Sequence, residues 1–274
     1  MAHAHRSALW RGDSSGRLES FGVGGRTQRS ELLALSDTRD LSDLGDANTR
    51  VATIAEIFVD QADLRGLFPL IYRIGLDAVA EALDEGCLRD PDWVKRFEIA
   101  FASRYLDNLH RHLGEDKTTP PWTAVYGRVD DGTATIATVL AAALNAHLIS
   151  DLPEALHTSD VRAYHIVDFF TLSRVIWQTA PDTIVAIKDC YGTDLSPLYN
   201  GPFQIRAVSS LRGRVPSSRE QLFHNITAMA FARGRAMANP LARPLIRTQI
   251  ASRSRMLSVA ADQLVSLSQL RLGV

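Results

Sequence analysis

Residues 133–149 read TATIATVLAAALNAHLI and form the longest mainly apolar stretch of the chain. Apolar side chains occur on nearly every side of a helix drawn through this stretch, and Asn145 and His147 interrupt it only near its end. A helix that is apolar all round is usually the buried helix of a larger protein. The stretch therefore predicts a helical fold built around a central, alanine-rich helix.

The flanking sequence is also helical in pattern. In residues 90–114, DPDWVKRFEIAFASRYLDNLHRHLG, Asp90 is a suitable N-cap, Pro91 suits the first helical position, and Gly114 is a stop signal. No run alternates polar and apolar residues for long enough to predict a strand, and the chain contains no internal repeat. We therefore predict an all-α fold, a single-domain bundle of about seven or eight helices around the alanine-rich helix.

The N-terminal region differs from the rest of the chain in composition. Its first part is rich in Gly, Ser, Arg and other polar residues, and it offers few large apolar groups to offset the entropy of ordering. This composition predicts a disordered tail over residues 1–45 and an all-helical domain over residues 46–274.

The overall composition limits the class of protein. Of the 274 residues, 46% are hydrophobic and 22% charged, with a net charge of −1, so no global field favours nucleic acid or an anionic membrane. The two cysteines, Cys87 and Cys190, lack metal-type spacing, and we expect both to be reduced and buried. The start of the chain lacks a secretory pattern, and no apolar run is long enough to span a membrane, so we expect a cytoplasmic protein.

Residues 87–156 carry a resemblance to a known family. They combine DPDWVKRFEIAFASRYLDNL, a proline-containing loop with Trp122, and NAHLISDLPEAL. In this succession the chain resembles a family of mostly actinobacterial proteins, a domain of unknown function with an Asn-Ala-His…Asp-Leu-Pro core. The resemblance starts near residue 52 and weakens in the C-terminal third, and the asparagine that the family often has two residues after the histidine is replaced by Ile149. It implies a helical single domain and no established activity.

Two histidine–aspartate pairs are the candidate site residues. His147 and Asp151 are four residues apart, and His165 and Asp168 are three apart in the next predicted helix, so each pair shares a helix face. Helix bundles assemble metal sites from such pairs, and two imidazoles with two carboxylates suit a hard divalent metal or iron. Without a metal, Asp151 would instead orient His147 as a general base.

A structural interpretation of these residues competes with both chemical ones. Asp151 precedes Leu152-Pro153-Glu154, which suits the N-cap of a short new helix, and His147 would then hydrogen-bond Asp151 or a backbone carbonyl. The first functional hypothesis is thus an enzyme that acts on a small, partly apolar molecule, with catalytic His147 and Asp151. The second is a non-catalytic helical module that binds a ligand or a protein partner.

Overall fold

The computed structural model describes residues 23–132, 134–196 and 218–272 and confirms an all-α bundle. Within these ranges every regular element is helical, and the chain has no strand there. The α-helices are α1 Val23–Ser36, α2 Leu44–Asp60, α3 Leu67–Asp84, α4 Pro91–Leu113, α5 Pro120–Asp130, α6 Ile136–Leu144, α7 Leu152–Thr158, α8 Ile166–Gln178, α9 Ala180–Tyr191, α10 Ser218–Ala236 and α11 Arg243–Leu272.

Helix α4 begins and ends where the sequence predicts. The carboxylate of Asp90 accepts a hydrogen bond of 2.9 Å from the backbone N–H of Trp93, Pro91 occupies the first turn, and Gly114 follows the last helical residue. This long helix buries Trp93 and Phe97 in the core, where their rings stack with centroids 5.5 Å apart. Helix α4 therefore packs against the centre of the bundle through its buried aromatic residues.

The alanine-rich helix is not a single regular helix. Helix α6 runs into a π-helix over Asn145–Asp151, which continues directly into α7. In a regular α-helix the ring of Pro153 would clash with the carbonyl of Ile149, and the wider turn of a π-helix relieves such a clash. The predicted central helix thus changes its geometry at the residues that carry His147 and Asp151.

The same continuous helical segment is the one described part of the chain that is long and apolar enough to cross a membrane. It spans the 23 residues Ile136–Thr158, and 50% of its most apolar window is buried inside the bundle. A core helix of a soluble protein has these properties, and Ala143, Ala146 and Leu156 are fully buried in the core. The segment is therefore consistent with a soluble protein.

Most of residues 23–45, which fall in the predicted disordered tail, are helical in the structure: α1, a 3-10 helix at Thr38–Asp40 and the start of α2. Helix α1 buries Leu32 in the core, and the guanidinium of Arg29 donates to the carbonyl of Leu113 at the end of α4. Helix α2 starts at Leu44, with the side chain of Asp43 accepting from a backbone N–H in its first turn. Leucines of this segment pack into the core, although the composition of the N-terminal region is polar overall. Residues 1–22 lie outside the described residues.

The two cysteines are free, but they are not buried as predicted. Cys87 is exposed after α3, where its thiol donates to the carbonyl of Ala82, and Cys190 is half-buried near the end of α9. Burial raises the pKa of the Cys190 thiol. Cys190 packs against the hydrophobic core, as a small apolar residue would, whereas Cys87 does not.

Candidate functional site

An apolar cavity of about 400 Å³ lies beside the π-helix. Helices α3, α4, α6, α8, α9 and α10 each contribute to its wall, together with the π-helix. Its volume falls within the range of small-molecule sites, which is roughly 300–1,000 Å³. Most of the wall is aliphatic or aromatic, as in α3, which contributes Phe68, Ile71, Leu76 and Val79. A molecule of mainly apolar surface therefore fits this space.

Five polar side chains interrupt this apolar wall: Tyr72 on α3, Glu98 on α4, His147 on the π-helix, Thr179 just before α9 and Thr183 within α9. Within the described part of the chain, the Tyr72 hydroxyl, Oε1 of Glu98 and Nε2 of His147 are buried and have no hydrogen-bond partner. A buried polar atom without a partner costs free energy, so these three atoms are groups of the cavity-lining residues that can still form a hydrogen bond.

Aromatic rings hold the imidazole of His147 in place. Phe101 stacks on it with a centroid distance of 3.7 Å and an interplanar angle of 14°. Phe68 and Tyr72 meet it edge-on, with centroids 4.8 and 4.7 Å away. His147 is only 3% exposed, so its ring orientation is fixed by packing on several sides.

Asp151 fixes the imidazole from behind the cavity. Its Oδ2 lies 3.4 Å from Nδ1 of His147 and accepts a hydrogen bond of 2.8 Å from Nε1 of Trp122. The predicted contact between His147 and Asp151 is therefore present. Asp151 occupies the predicted N-cap position of α7, but its side chain makes no capping hydrogen bond there. A carboxylate beside Nδ1 assigns the proton to that nitrogen and leaves a lone pair on Nε2.

Burial shifts the proton affinity of all three cavity groups. It lowers the pKa of His147 below 6.5, although the hydrogen bond and charge of Asp151 act in the opposite direction, so the ring is neutral at pH 7. Burial alone raises the pKa of Glu98 to about 8, so its carboxyl is mostly protonated at pH 7. Burial, followed by the charges of Glu98 and Asp151, raises the pKa of Tyr72. The lining of the cavity is thus electrically neutral at pH 7.

The second predicted pair has a different, structural place. Nδ1 of His165 accepts from the backbone N–H of Arg162 at 2.9 Å, and its Nε2 lies 3.2 Å from Oδ2 of Asp90. Asp168 is buried and accepts from the backbone N–H groups of Arg89 and Asp90, each at 2.8 Å. Both residues therefore hold the start of α4, and neither lines the cavity.

The structure does not assemble the predicted metal-ligand set. His147 and Asp151 meet each other, and His165 and Asp168 each contact the start of α4 instead. In the described ranges no group of three or more His, Cys, Asp or Glu side chains is close enough to hold a metal ion. The contact within the first pair is present, whereas His165 lies in a 3-10 turn before α8 and Asp168 in the first turn of α8, each with its own partner.

The sequence did contain a signal for Glu98. This glutamate lies four residues after Val94 and three before Phe101, both of which are buried, so helical spacing places it on the apolar face of α4. A single carboxyl on such a face indicates a buried polar site. Tyr72 carries no comparable signal, because an aromatic residue on the apolar face of α3 is ordinary core composition.

The fold and the cavity define a class of protein: an all-helical bundle with a small-molecule-sized apolar cavity and buried polar groups at one side. Within that class, the chain belongs to the family of unknown function DUF5995, which it matches over residues 45–258. This match agrees with the resemblance noted in the sequence. No curated protein and no solved structure matches the chain significantly.

Proposed function

We propose that the cavity is an active site in which His147 acts as a general base on a small, mostly apolar molecule. The observation that carries this proposal is the unpartnered Nε2 of His147, buried at the cavity wall with Asp151 on the opposite nitrogen. A neutral imidazole oriented by a carboxylate is a common arrangement for proton abstraction near pH 7. Asp151 is in turn oriented by Trp122, so the whole chain of contacts is rigid.

The proton transfer follows from this geometry. Nε2 takes a proton from a polar group of the bound molecule, and the imidazolium that forms is stabilised by the carboxylate of Asp151, which keeps its own charge. Glu98 lines the same cavity and is mostly protonated at pH 7, so its carboxyl can donate a proton to the reacting molecule and recover it when His147 releases its own. Two groups with opposite roles therefore face one small volume.

Mass spectrometry of bound molecules tests the proposal. The wild-type protein and the variants His147→Gln and Gly75→Leu are incubated with a small-molecule extract of the cells that produce the protein. We expect wild type and His147→Gln to retain the same apolar molecule, and only wild type to convert it with time. Gly75→Leu is the control, because Gly75 lines the cavity and a larger side chain there occupies its volume. Recovery of an unchanged molecule from wild type would instead favour the non-catalytic binding module.

We also propose that the protein acts in the cytoplasm. The two free cysteines support this location, because exposed thiols such as Cys87 persist in a reducing compartment. Labelling of Cys87 by a thiol reagent in intact and lysed cells tests this, since a reagent that does not cross membranes should reach Cys87 only after lysis.

A further inference from the structure

The charge balance of the cavity wall points to the nature of the ligand. Among the lining residues that the structure describes, Glu98 is the one carboxylic acid, and none is lysine or arginine. An anionic ligand would therefore meet no opposite charge in a buried space, where an unpaired charge is strongly disfavoured. A cationic ligand would find the carboxyl of Glu98, which is itself 2% exposed and can pair with the cation once it gives up its proton.

The unpartnered atoms have a shared hydrogen-bonding character. The hydroxyl oxygen of Tyr72, Oε1 of Glu98 and Nε2 of His147 can all accept a hydrogen bond. A ligand that only accepts, such as a carboxylate, would satisfy at most the hydroxyl of Tyr72 and a protonated Glu98. A primary ammonium donates three hydrogen bonds and accepts none, which matches three acceptors on three helical segments.

The aromatic residues of the cavity wall also favour a positively charged ligand. Phe68, Tyr72 and Phe101 line the cavity near His147, and Trp177 and Phe223 line it from α8 and α10. The faces of aromatic rings attract cations, and this attraction is stronger in sites that exclude water. The apolar remainder of the wall accommodates a hydrocarbon body attached to the charged end.

We propose that the cavity binds an amine with an apolar body, whose ammonium group pairs with Glu98. The inference rests on the proposed function only in taking this cavity as the site, and with an amine bound Glu98 is the counter-ion of the ammonium rather than a proton donor. Tyr72 from α3, Glu98 from α4 and His147 from the π-helix are the titratable groups that face the ligand, and Asp151 lies behind His147. Pairing with the ammonium requires the carboxylate form of Glu98, so binding near pH 7 releases a proton.

Calorimetry with three ligands of one chain length tests the inference. Octylamine, 1-octanol and octanoate are titrated into wild type, Glu98→Gln and the surface control Glu81→Gln, at pH 7 in buffers of different ionisation enthalpy. We expect octylamine to bind wild type and Glu81→Gln about tenfold or more tightly than octanoate. Its binding should release about one proton. Glu98→Gln should lose both the preference and the proton release, and its circular dichroism should show the fold retained.

Several results would overturn the inference. These are octylamine binding no more tightly than 1-octanol or octanoate, a preference for octylamine that survives in Glu98→Gln, and the absence of octylamine binding to folded wild type. The proposed function has a separate readout, because conversion that depends on His147 would stand even if the amine did not bind. The neutral fluorescent probe N-phenyl-1-naphthylamine, compared in wild type and Gly75→Leu, reports whether the cavity itself is accessible.

Discussion

The imidazole of His147 lies almost parallel to the ring of Phe101, with centroids 3.7 Å apart. Phe101 and Glu98 are three residues apart on α4, so the helix face that supports the imidazole also carries the buried carboxyl. The position of the base and the position of the acid in the cavity therefore depend on the same helix. Substitutions of His147 or Glu98 should therefore be measured both for the free energy of unfolding and for ligand binding.

Asp151→Asn should destabilise the fold by about 1–3 kcal/mol, because the buried carboxylate that serves Trp122 and His147 loses its charge and part of its accepting capacity. Urea denaturation at pH 7 measures this change. Asp84→Asn at the exposed end of α3 is the matched control and should be near neutral. Equal free energies of unfolding for the two variants would contradict the structural role of Asp151.

Glu98→Gln should gain stability relative to wild type as the pH rises from 5 to 8. The folded protein holds the Glu98 proton up to a pKa of about 8, whereas the unfolded chain releases it near 4.5. Wild type therefore binds the proton more strongly when folded, and its stability falls across this window by up to about 1.4 kcal/mol per pH unit. Above both pKa values the difference should become constant.

Denaturation of wild type, Glu98→Gln and Glu81→Gln over this range checks the prediction. The lowered pKa of His147 acts with the opposite sign, since it reduces stability as the pH falls below 6.5, but all three proteins share it. A stability difference between wild type and Glu98→Gln that does not change with pH would show that the carboxyl of Glu98 is ionised at neutral pH.

Gly75→Ala should stabilise the protein by about 0.5–1 kcal/mol, because alanine is favoured over glycine inside a helix. A Cβ at Gly75 would meet nothing within 4 Å, since the space beside it is the cavity. Gly127→Ala on α5 is the matched control, because its Cβ is equally unobstructed and Gly127 does not line the cavity. Thermal denaturation should show a gain in both variants.

Binding of the fluorescent probe distinguishes substitutions at Gly75 from substitutions at Gly127. Gly75→Leu should reduce the fluorescence of bound N-phenyl-1-naphthylamine, whereas Gly127→Leu should leave it unchanged. Unaltered probe binding by a folded Gly75→Leu protein would place the probe elsewhere and count against the cavity as a binding site.

The sequence predicts the helical class and the contact between His147 and Asp151 because both depend on local spacing along one helix. It did not reveal the π-helix, whose wider turn depends on the balance between Pro153 and the packing around it. The convergence of Glu98 with His147 depends on how α4 packs against the π-helix, which is tertiary information. For the same reason the sequence does not predict that His165 contacts Asp90 or that Asp168 accepts from the backbone of Arg89 and Asp90.

The variant Asp168→Asn tests whether Asp168 supports the start of α4 and has no role at the cavity. The carboxylate of Asp168 accepts from two backbone N–H groups at the start of α4, so the variant should lose about 1–3 kcal/mol of stability. Because Asp168 does not line the cavity, the folded variant should bind N-phenyl-1-naphthylamine and octylamine as wild type does. Asp151→Asn, by contrast, should alter binding as well as stability, because it frees the imidazole that faces the ligand. Loss of ligand binding by a fully folded Asp168→Asn protein would instead connect the second pair to the cavity.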